Sequence, residues 1–378
     1  MKKRLTFNFK FSTLNSQLST FSYLCPMRLL FFNPENDLAL ASGDSHYTPP
    51  ASARQMAQDL QRLPLLWAQP DDLILLRDGT VVDDCGHLTF NFQLSTINYK
   101  LLPWGWSPLL VRQLSELGVP ASLLPTEKQM KAYRQASSRE RGVRLLSALR
   151  QRLASEPLII GESAWCTTEE DIWEHHRRYG SSMLKAPWSG SGRGVHPVSG
   201  TPTDKDVAWV RRVIARQGGV EIEPIYYNKV QDLALELWCE GGQVRDEGLS
   251  LFTTTAGGVY SGNLVASEDE KLRLLSAYIP LELLAEVRRQ IVDLLNDALR
   301  DGSLPSWYTG PLGIDMMITA NRQLLTGNFQ YSLHPFIELN LRMTMGWVAL
   351  QLGRDLRPNE KRLFRIIQER GRYHWENR

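Results

Sequence analysis

A lysine followed by a glycine-rich loop, near the middle of the chain, has the composition of a phosphate-binding segment. An apolar stretch ends at Lys185, and glycine then occupies every second position from Gly190 to Gly194. Glycine reaches positive φ at little cost, so several backbone N–H groups can converge on an anion while the lysine adds a point charge. The apolar residues after Gly194 predict a returning strand, which would make the loop a flap over phosphates. A glycine hairpin without a ligand is the alternative interpretation.

Two common phosphate-binding motifs do not fit this segment. A P-loop closes with Gly-Lys-Ser/Thr at the start of a helix, whereas here Lys185 precedes the loop and Arg193 lies within it. A Rossmann turn leads from Gly-x-Gly-x-x-Gly into a helix, whereas Gly194 leads into a strand-like segment and then a Ser-Gly-Thr-Pro turn. The segment is therefore better described as a strand, a glycine loop and a second strand.

Two apolar segments in the C-terminal third carry polar residues that could hold a metal ion. Asp315 is embedded in one of them, and Glu338, Asn340 and Arg342 are spaced by two in the other. In a strand, residues spaced by two project from the same face. Such a polar face is expensive to bury without ligands, and carboxylate and amide oxygens suit Mg²⁺. A solvated strand face with an ordinary Glu–Arg ion pair is the alternative.

In combination, the lysine and its glycine loop, the segment around Glu223, Asp315 and the strand from Glu338 to Arg342 resemble the ATP-grasp superfamily over roughly residues 155 to 350. A protein kinase would instead need His-Arg-Asp and Asp-Phe-Gly signatures, which the sequence lacks. The resemblance implies an α/β protein with an α+β core. Two α+β subdomains of the ATP-grasp fold would clasp ATP, and a small Rossmann-like α/β domain would precede them.

The resemblance also implies roles for individual residues. Lys185 would contact the α- and β-phosphates of ATP, and Arg342 would meet the transferred phosphoryl group, which makes these two the catalytic candidates. Asp315, Glu338 and Asn340 would bind Mg²⁺, for which Mn²⁺ could substitute. The residues implied for nucleotide binding are Lys185, Ser189, Gly190, Ser191, Gly192, Arg193, Gly194, Glu221, Glu223 and Arg139.

Two of these nucleotide contacts have open alternatives. Glu223 would bind the ribose hydroxyls from a hinge strand that also contains Glu221, but that segment could equally be a plain edge strand. Arg139 would be an additional phosphate ligand. Other arginines crowd the same region, and a solvated helix face also explains them.

The activity implied by the resemblance is that of an ADP-forming, ATP-dependent ligase. The γ-phosphoryl group would pass to a small-molecule or peptide-like carboxylate, and an amine or thiol would capture the acylphosphate. A phosphotransferase that stops at the phosphorylated product is one alternative. A degenerate nucleotide-binding protein with a regulatory or scaffold role is another, although the retention of the lysine, the metal ligands and the arginine argues against it.

Polar residues that follow the first predicted strand are candidates for substrate contact. Ligands of open α/β sheets bind at the carboxyl ends of parallel strands, and capping of the next helix is the alternative role. Two further candidates lie in or near a predicted hairpin beside the site. The full set is Asn33, Glu35, Asn36, Asp37, Arg245 and Asn263.

The pattern of elements predicts five regions. Residues 1–26 would be a dispensable extension, because residues 6–15 recur almost unchanged at 89–98 and both copies resemble insertions. Residues 27–125 would form the first α/β domain, with an insertion near 89–101, and 126–155 a helical connector. Residues 156–240 would carry the flap and 241–378 the metal strands. One long helix is expected over residues 272–299.

Composition sets limits on partners and location. The 378 residues carry a net charge of +2, which gives no electrostatic case for nucleic acid.

The four cysteines lack metal-like spacing and are expected to be reduced thiols in the cytoplasm. No apolar run approaches the roughly 18 residues that span a bilayer, so no membrane partner is expected. Eleven tryptophans favour buried packing over an aromatic substrate pocket. A homodimer is left open.

Overall fold

The computed structural model describes residues 27–89, 93–95, 99–189, 194–255, 260–320 and 331–378. The N-terminal extension and most of both repeat copies lie outside these ranges. The elements of the first part are β1 (Met27–Phe31), α1 (Asn36–Ser42), α2 (Ala51–Asp59), β2 (Leu73–Leu75), β3 (Val81–Asp83), β4 (Tyr99–Pro103), α3 (Pro108–Glu116), α4 (Glu127–Ala136) and α5 (Arg139–Arg152).

A four-stranded first sheet has the order β3-β2-β1-β4, in which β2, β1 and β4 are parallel and β3 is antiparallel. Its central strand is buried on both faces, because Leu29 and Leu30 belong to two different apolar clusters. Near-continuous apolar strands of this kind are typical of parallel sheets that are covered on both sides. The sheet therefore has the mostly parallel arrangement that is typical of an α/β domain.

A second sheet of four antiparallel strands, the flap sheet, has the order β5-β8-β6-β7. Ile172, Leu184, Val210 and Ile222 form its own small apolar core. Its elements are β5 (Ala164–Cys166), α6 (Glu169–Tyr179), β6 (Ser181–Lys185), β7 (Val195–Ser199), α7 (Asp204–Gln217) and β8 (Val220–Pro224).

A third, seven-stranded antiparallel sheet, the large sheet, has the order β13-β12-β9-β10-β11-β14-β15. Side chains alternate between its two faces. Leu233, Leu235 and Ile314 share an apolar cluster with Leu284 and Ile291 of α9, which leaves the other face for a ligand. Its elements are β9 (Lys229–Glu240), β10 (Gln243–Thr254), β11 (Tyr260–Val265), α8 (Glu268–Leu275), α9 (Leu281–Arg300), β12 (Gly310–Ala320), β13 (Tyr331–Asn340), α10 (Met345–Gly353), β14 (Arg362–Glu369) and β15 (Arg372–Asn377).

The predicted α/β class with an α+β core is confirmed by these three sheets and their helices. One detail of the sequence prediction is wrong. The single helix expected over residues 272–299 is two helices, because Pro280 has no N–H to donate and precedes the first residue of α9. Strand β8 belongs to the flap sheet and β9 to the large sheet, so the chain passes from one sheet to the other between Pro224 and Lys229. The predicted domain limits stay predictions.

Within the part of the chain that the structure describes, no helix is both long enough and apolar enough to cross a bilayer. Cys85, Cys166 and Cys239 are free thiols.

Candidate active site

The open face of the large sheet is the floor of a cleft of about 380 Å³. The first sheet and the flap sheet contribute its other walls. Its polar lining comprises Asp37, Arg139, Lys185, Glu236, Ser250, Thr254, Tyr260, Asn263, Asp315, Glu338, Asn340, Arg342 and Thr344. Eight of the candidates predicted from the sequence therefore share one cavity: Asp37, Arg139, Lys185, Asn263, Asp315, Glu338, Asn340 and Arg342.

The predicted metal ligands are neighbours on two paired strands. Asp315 of β12 lies directly opposite Glu338 of β13, and Asn340 lies opposite Gly313, one step along the same face. Burial, together with the negative charges of Glu338 and Glu236, raises the pKa of Asp315 to about 8. A divalent cation would relieve this crowding of negative charge, and the oxygen donors fit Mg²⁺.

Lys185 lies at the end of β6 between two carboxylates of the adjacent β8. Its Nζ is 2.9 Å from Glu223 Oε2 and 3.6 Å from Glu221 Oε1, and all three side chains are almost fully buried. Burial disfavours the charged lysine, but the two carboxylates outweigh it and the pKa of Lys185 is raised. Burial also raises the pKa of Glu221 to about 7. Strand β8 is internal to the flap sheet, not an edge strand, and the nucleotide contacts of Glu221 and Glu223 remain predictions.

Arg139, the first residue of α5, links the base of the flap to the metal strands, which are β12 and β13 with the predicted metal ligands. Its NH1 donates to Ala186 O at 2.7 Å and to Ser189 Oγ at 2.5 Å, and its NH2 donates to Glu338 Oε1 at 2.8 Å. The side chain is 7% exposed, and the pKa is raised because Glu338 and Glu221 outweigh the effect of burial. The alternative of a solvated helix face is wrong for Arg139, since this guanidinium faces the cleft.

The base of the predicted flap is well defined. Strands β6 and β7 pair in the register Lys185 with Val195, and Ala186 N donates to Gly194 O at 2.8 Å. Gly194 has φ +72°, a conformation that favours glycine, and an added Cβ would lie 2.8 Å from Ser189 Cβ. The loop residues Gly190, Ser191, Gly192 and Arg193 lie outside the described residues, so their phosphate contacts stay predictions.

Arg342 is held from the other side of the cleft by the first sheet's helix α1. Its Nε and NH2 donate to the two carboxylate oxygens of Asp37 at 2.8 and 2.9 Å. Although burial opposes the charge, Asp37 raises the pKa of Arg342 above its ordinary value. Asp37, predicted as a substrate residue, is thus placed at the cleft as the partner of Arg342.

Two other candidates from the same segment have structural roles instead. Asn33 exchanges two hydrogen bonds with the backbone of Gly105, and Glu35 pairs with Arg77 at 2.8 Å. Both side chains are buried and neither lines the cleft, which argues against the predicted substrate contact. Helix capping is also not their role, since Glu35 at the N-cap makes no side-chain capping bond. Asn36 is 1% exposed and packs against Gly105, but it also lines a small cavity with Asp37 and Arg342, so its substrate contact stays a prediction.

Of the two candidates in or near the hairpin, Asn263 lies at the cleft and Arg245 does not. Asn263 lines the cleft and accepts a hydrogen bond from Tyr260 at 2.6 Å. Arg245 points elsewhere, because it stacks over Trp238 and pairs with Glu247 near the opposite end of β10. The predicted hairpin is confirmed, but the reach of Arg245 toward the site is wrong.

Sequence reasoning missed Glu236, on β9 between the metal strands and β10. Ser250 and Thr344 each donate a hydroxyl hydrogen bond to its carboxylate at 2.8 Å, and burial raises its pKa to about 7. Gly346 leaves space for it, since a Cβ there would lie 2.0 Å from Glu236 Oε1. The signal was a single carboxylate inside an apolar strand, the same pattern that identified Asp315.

Comparison with known proteins gives matches among solved structures only. No family model and no curated protein matches the chain. N5-carboxyaminoimidazole synthetase from Staphylococcus aureus, complexed with ADP, is 12% identical with a TM-score of 0.45, over 91% of this chain and 83% of that one. D-alanyl-alanine synthetase A from Vibrio cholerae is 12% identical with a TM-score of 0.41, over 84% and 89%. Biotin carboxylase from Campylobacter jejuni is 13% identical with a TM-score of 0.42, over 71% and 58%.

These likenesses concern the fold alone. The geometry described above stands independently of them, with a lysine-bearing flap sheet and a carboxylate-bearing large sheet on either side of one cleft. The residues whose sequence motifs resemble the ATP-grasp superfamily include Lys185 on one side of this cleft and Asp315 and Glu338 on the other.

Proposed function

We propose that this protein is an ATP-dependent ligase of ATP-grasp type, which forms ADP and requires Mg²⁺. The observation that carries the proposal is the bridge made by Arg139. This guanidinium donates both to Ser189 at the base of the flap and to Glu338 on the metal strand, so the cationic and the carboxylate halves of the site meet in one cleft.

The metal would be held by Asp315, Glu338 and Asn340, for which Mn²⁺ could replace Mg²⁺. When bound, the ion supplies positive charge that neutralises the oxygens of the β- and γ-phosphates. The carboxylates and the amide contribute oxygen donors from one face of two paired strands, which is the ligand chemistry that Mg²⁺ prefers.

The chain's own cations would hold the rest of the triphosphate. Lys185 and Arg139 are desolvated, so their interaction with phosphate is stronger than it would be in water. In the absence of nucleotide, Glu221 and Glu223 balance the charge of Lys185. Arg342 would stabilise the charge that spreads over the transferred phosphoryl group, and its bidentate partner Asp37 fixes the guanidinium plane.

The part of the cleft beyond Glu236 supports an organic substrate. The large sheet continues from β9 through β10 and β11 to β14, and adjacent strands are separated by about 4.8 Å. Its lining there is mixed, with apolar side chains from Phe252, Ile366 and Trp104 beside polar ones such as Ser250 and Asn263. We therefore propose a small-molecule or peptide-like carboxylate with an apolar portion as substrate, and an amine or thiol as nucleophile. The free thiols support a cytoplasmic location.

The test is a screen for ADP release by the purified protein with ATP and Mg²⁺, against amino acids and small dicarboxylates supplied singly and in pairs. A ligase releases ADP only when a carboxylate and an amine or thiol are both present. ADP release with the carboxylate alone, and a stable phosphorylated product, would assign a phosphotransferase. Nucleotide binding without turnover by any pair would favour a degenerate nucleotide-binding protein, and the absence of nucleotide binding would refute the proposal.

A further inference from the structure

A second cavity, of about 550 Å³, lies beside the N-terminus of α5. The first helical residue, Arg139, lines the ATP cleft, whereas Ser138, Glu140 and Arg141 line this second cavity. Its walls come from α4, α5, β5, the base of the flap and the end of α7. The lining residues are Arg134, Gln135, Ser138, Glu140, Arg141, Arg144, Trp165, Thr167, Trp188, Gln217 and Gly218.

The charges of this cavity are unbalanced, with three arginines against one glutamate. Glu140 pairs with Arg144 at 2.6 Å, and Arg134 donates to the backbone carbonyls of Leu40 and Ala41 rather than to a carboxylate. Among the described residues, no carboxylate lies within 4.0 Å of Arg141. Asp301 and Glu140 offset only part of the charge of Arg141, so the lining keeps a net positive charge.

Arg141 is the least satisfied of these arginines. Its Nε is buried and has no hydrogen-bond partner among the described residues. Burial, together with the neighbouring positive charge of Arg144, lowers the pKa of Arg141. A buried polar group without a partner is costly, and a bound anion would supply the missing acceptor. This points to an anionic ligand.

Aromatic rings give the cavity flat walls. The guanidinium of Arg134 lies over Trp188, 3.6 Å from the ring centroid. Trp165 is held in place by the chain at Gly219, where a Cβ would lie 2.3 Å from its ring. Indole surfaces next to arginines suit a ligand that has a flat ring as well as a negative charge.

We propose that this cavity binds a small organic anion that consists of a phosphate or carboxylate attached to a flat ring. Arg141 and Arg144 pair with the anionic group, and Trp165 contacts the ring. The site is separate from the ATP cleft, and the proposal does not depend on the proposed ligase activity.

Trp188 lies in the wall of this cavity, at the base of the flap. It follows Lys185 by three residues. The backbone N–H of Trp188 donates to Gln217 Oε1 at 3.1 Å, and its indole N–H donates to Arg134 O at 2.8 Å. Both hydrogen bonds are made to other residues of the lining, so this wall of the cavity is preformed.

The test is isothermal titration calorimetry of the full chain with phenyl phosphate, benzoate and inorganic phosphate. The two aromatic probes distinguish a phosphate from a carboxylate, and inorganic phosphate lacks the ring. At least one aromatic probe is expected to bind at least tenfold more tightly than inorganic phosphate. Arg141→Gln is expected to weaken that binding at least tenfold, since an arginine–anion hydrogen bond is lost. Arg144→Gln, at the exposed rim, is expected to weaken it less.

Two controls keep the test decisive. Arg289→Gln removes one exposed positive charge from α9, away from the cavity, and is expected to leave the affinity unchanged. Lys185→Ala perturbs the ATP cleft and is expected to leave it unchanged as well. Absence of binding at 10 mM, equal affinity for inorganic phosphate and both aromatic probes, or unchanged affinity in both cavity variants would each overturn the proposal. Loss of binding in Lys185→Ala alone would also overturn it, because the probe would then occupy the ATP cleft.

Discussion

Asp37 and Arg342 form a bidentate ion pair although they are 305 positions apart, with N–O distances of 2.8 and 2.9 Å. Asp37 belongs to α1, which follows the first strand of the parallel sheet, and Arg342 follows the last residue of β13. The pair therefore fixes the first sheet to the metal strands at the cleft. A planar guanidinium that is held by two parallel hydrogen bonds has little freedom to rotate, which suits a residue that must face one developing charge.

Asp37→Asn removes the negative charge and at most one of these two hydrogen bonds. We expect the free energy of unfolding to fall by about 1.5 to 3 kcal/mol, because the half-buried Arg342 loses a hydrogen bond to a charged partner. ADP formation should fall at least tenfold as Arg342 loses its orientation. Urea unfolding and the ADP-release assay measure the two effects. Asp44→Asn, an exposed acidic residue of the same segment, is the control and should change neither.

Lys185→Ala should weaken ATP binding at least tenfold. The phosphates would lose a desolvated cation, whose charged hydrogen bond is worth about 1.5 to 3 kcal/mol. The melting temperature should fall as well, because Glu221 and Glu223 would share a buried site without their lysine. Lys205→Ala removes an exposed lysine from α7 and should leave both quantities unchanged. Unchanged ATP affinity in a folded Lys185→Ala protein, measured by calorimetry, would remove the flap assignment.

Glu338→Gln separates turnover from binding. Its shape is kept and Arg139 can still donate to the amide oxygen, but the negative charge that holds the metal is lost. We expect ADP formation to fall at least a hundredfold, whereas metal-free nucleotide binding should change less than tenfold. The reason is that the metal's charge acts mainly in the transition state, where only differential interactions alter the rate. Glu369→Gln, an exposed carboxylate on β14, is the matched control. ADP formation at the parental rate by Glu338→Gln would show that β13 is not the metal strand.

The residues that sequence reasoning placed correctly are those with a local pattern. The alternation along β13 puts Glu338 and Asn340 on one face, and a lysine before a glycine loop predicts a hairpin without knowledge of its surroundings. These features depend on strand period and backbone conformation, which neighbouring residues determine.

The residues that it misplaced depend on partners far away in the chain. Nothing near Asn33 or Glu35 shows that Gly105 and Arg77 satisfy them, and the central role of Arg139 requires the packing of α5 against β13. Glu236 was missed although its local pattern, a carboxylate in an apolar strand, is visible in the sequence. Its partners Ser250 and Thr344 come from two other elements, so nothing near it in the chain shows that it lies in the site.

Glu236→Gln should alter stability in a direction that depends on pH. Burial disfavours the charge of Glu236 and raises its pKa from the ordinary value of 4.5 to about 7 in the folded protein. The folded state therefore holds this proton more tightly than the unfolded chain does. The resulting contribution to stability is complete below pH 4.5 and is lost as the pH rises through 7, and it amounts to at most about 3 kcal/mol.

Glutamine stays neutral at every pH, so the free energy of unfolding of the variant does not fall as the pH rises through 7. It also gives up one of the two accepting oxygens that Ser250 and Thr344 use, at a cost of about 1 kcal/mol. At pH 5 we therefore expect Glu236→Gln to be less stable than the parent, and at pH 8 equally or more stable, by urea unfolding at both values.

Glu240→Gln, on the same strand, is the control. The pKa of Glu240 is lowered, mainly by its hydrogen bond with Lys100, so its titration lies below pH 4.5 and its effect should be the same at pH 5 and pH 8. If the stability difference between Glu236→Gln and the parent did not change between these two pH values, Glu236 would titrate as an ordinary surface carboxylate, and burial at the centre of the cleft could not be its governing property.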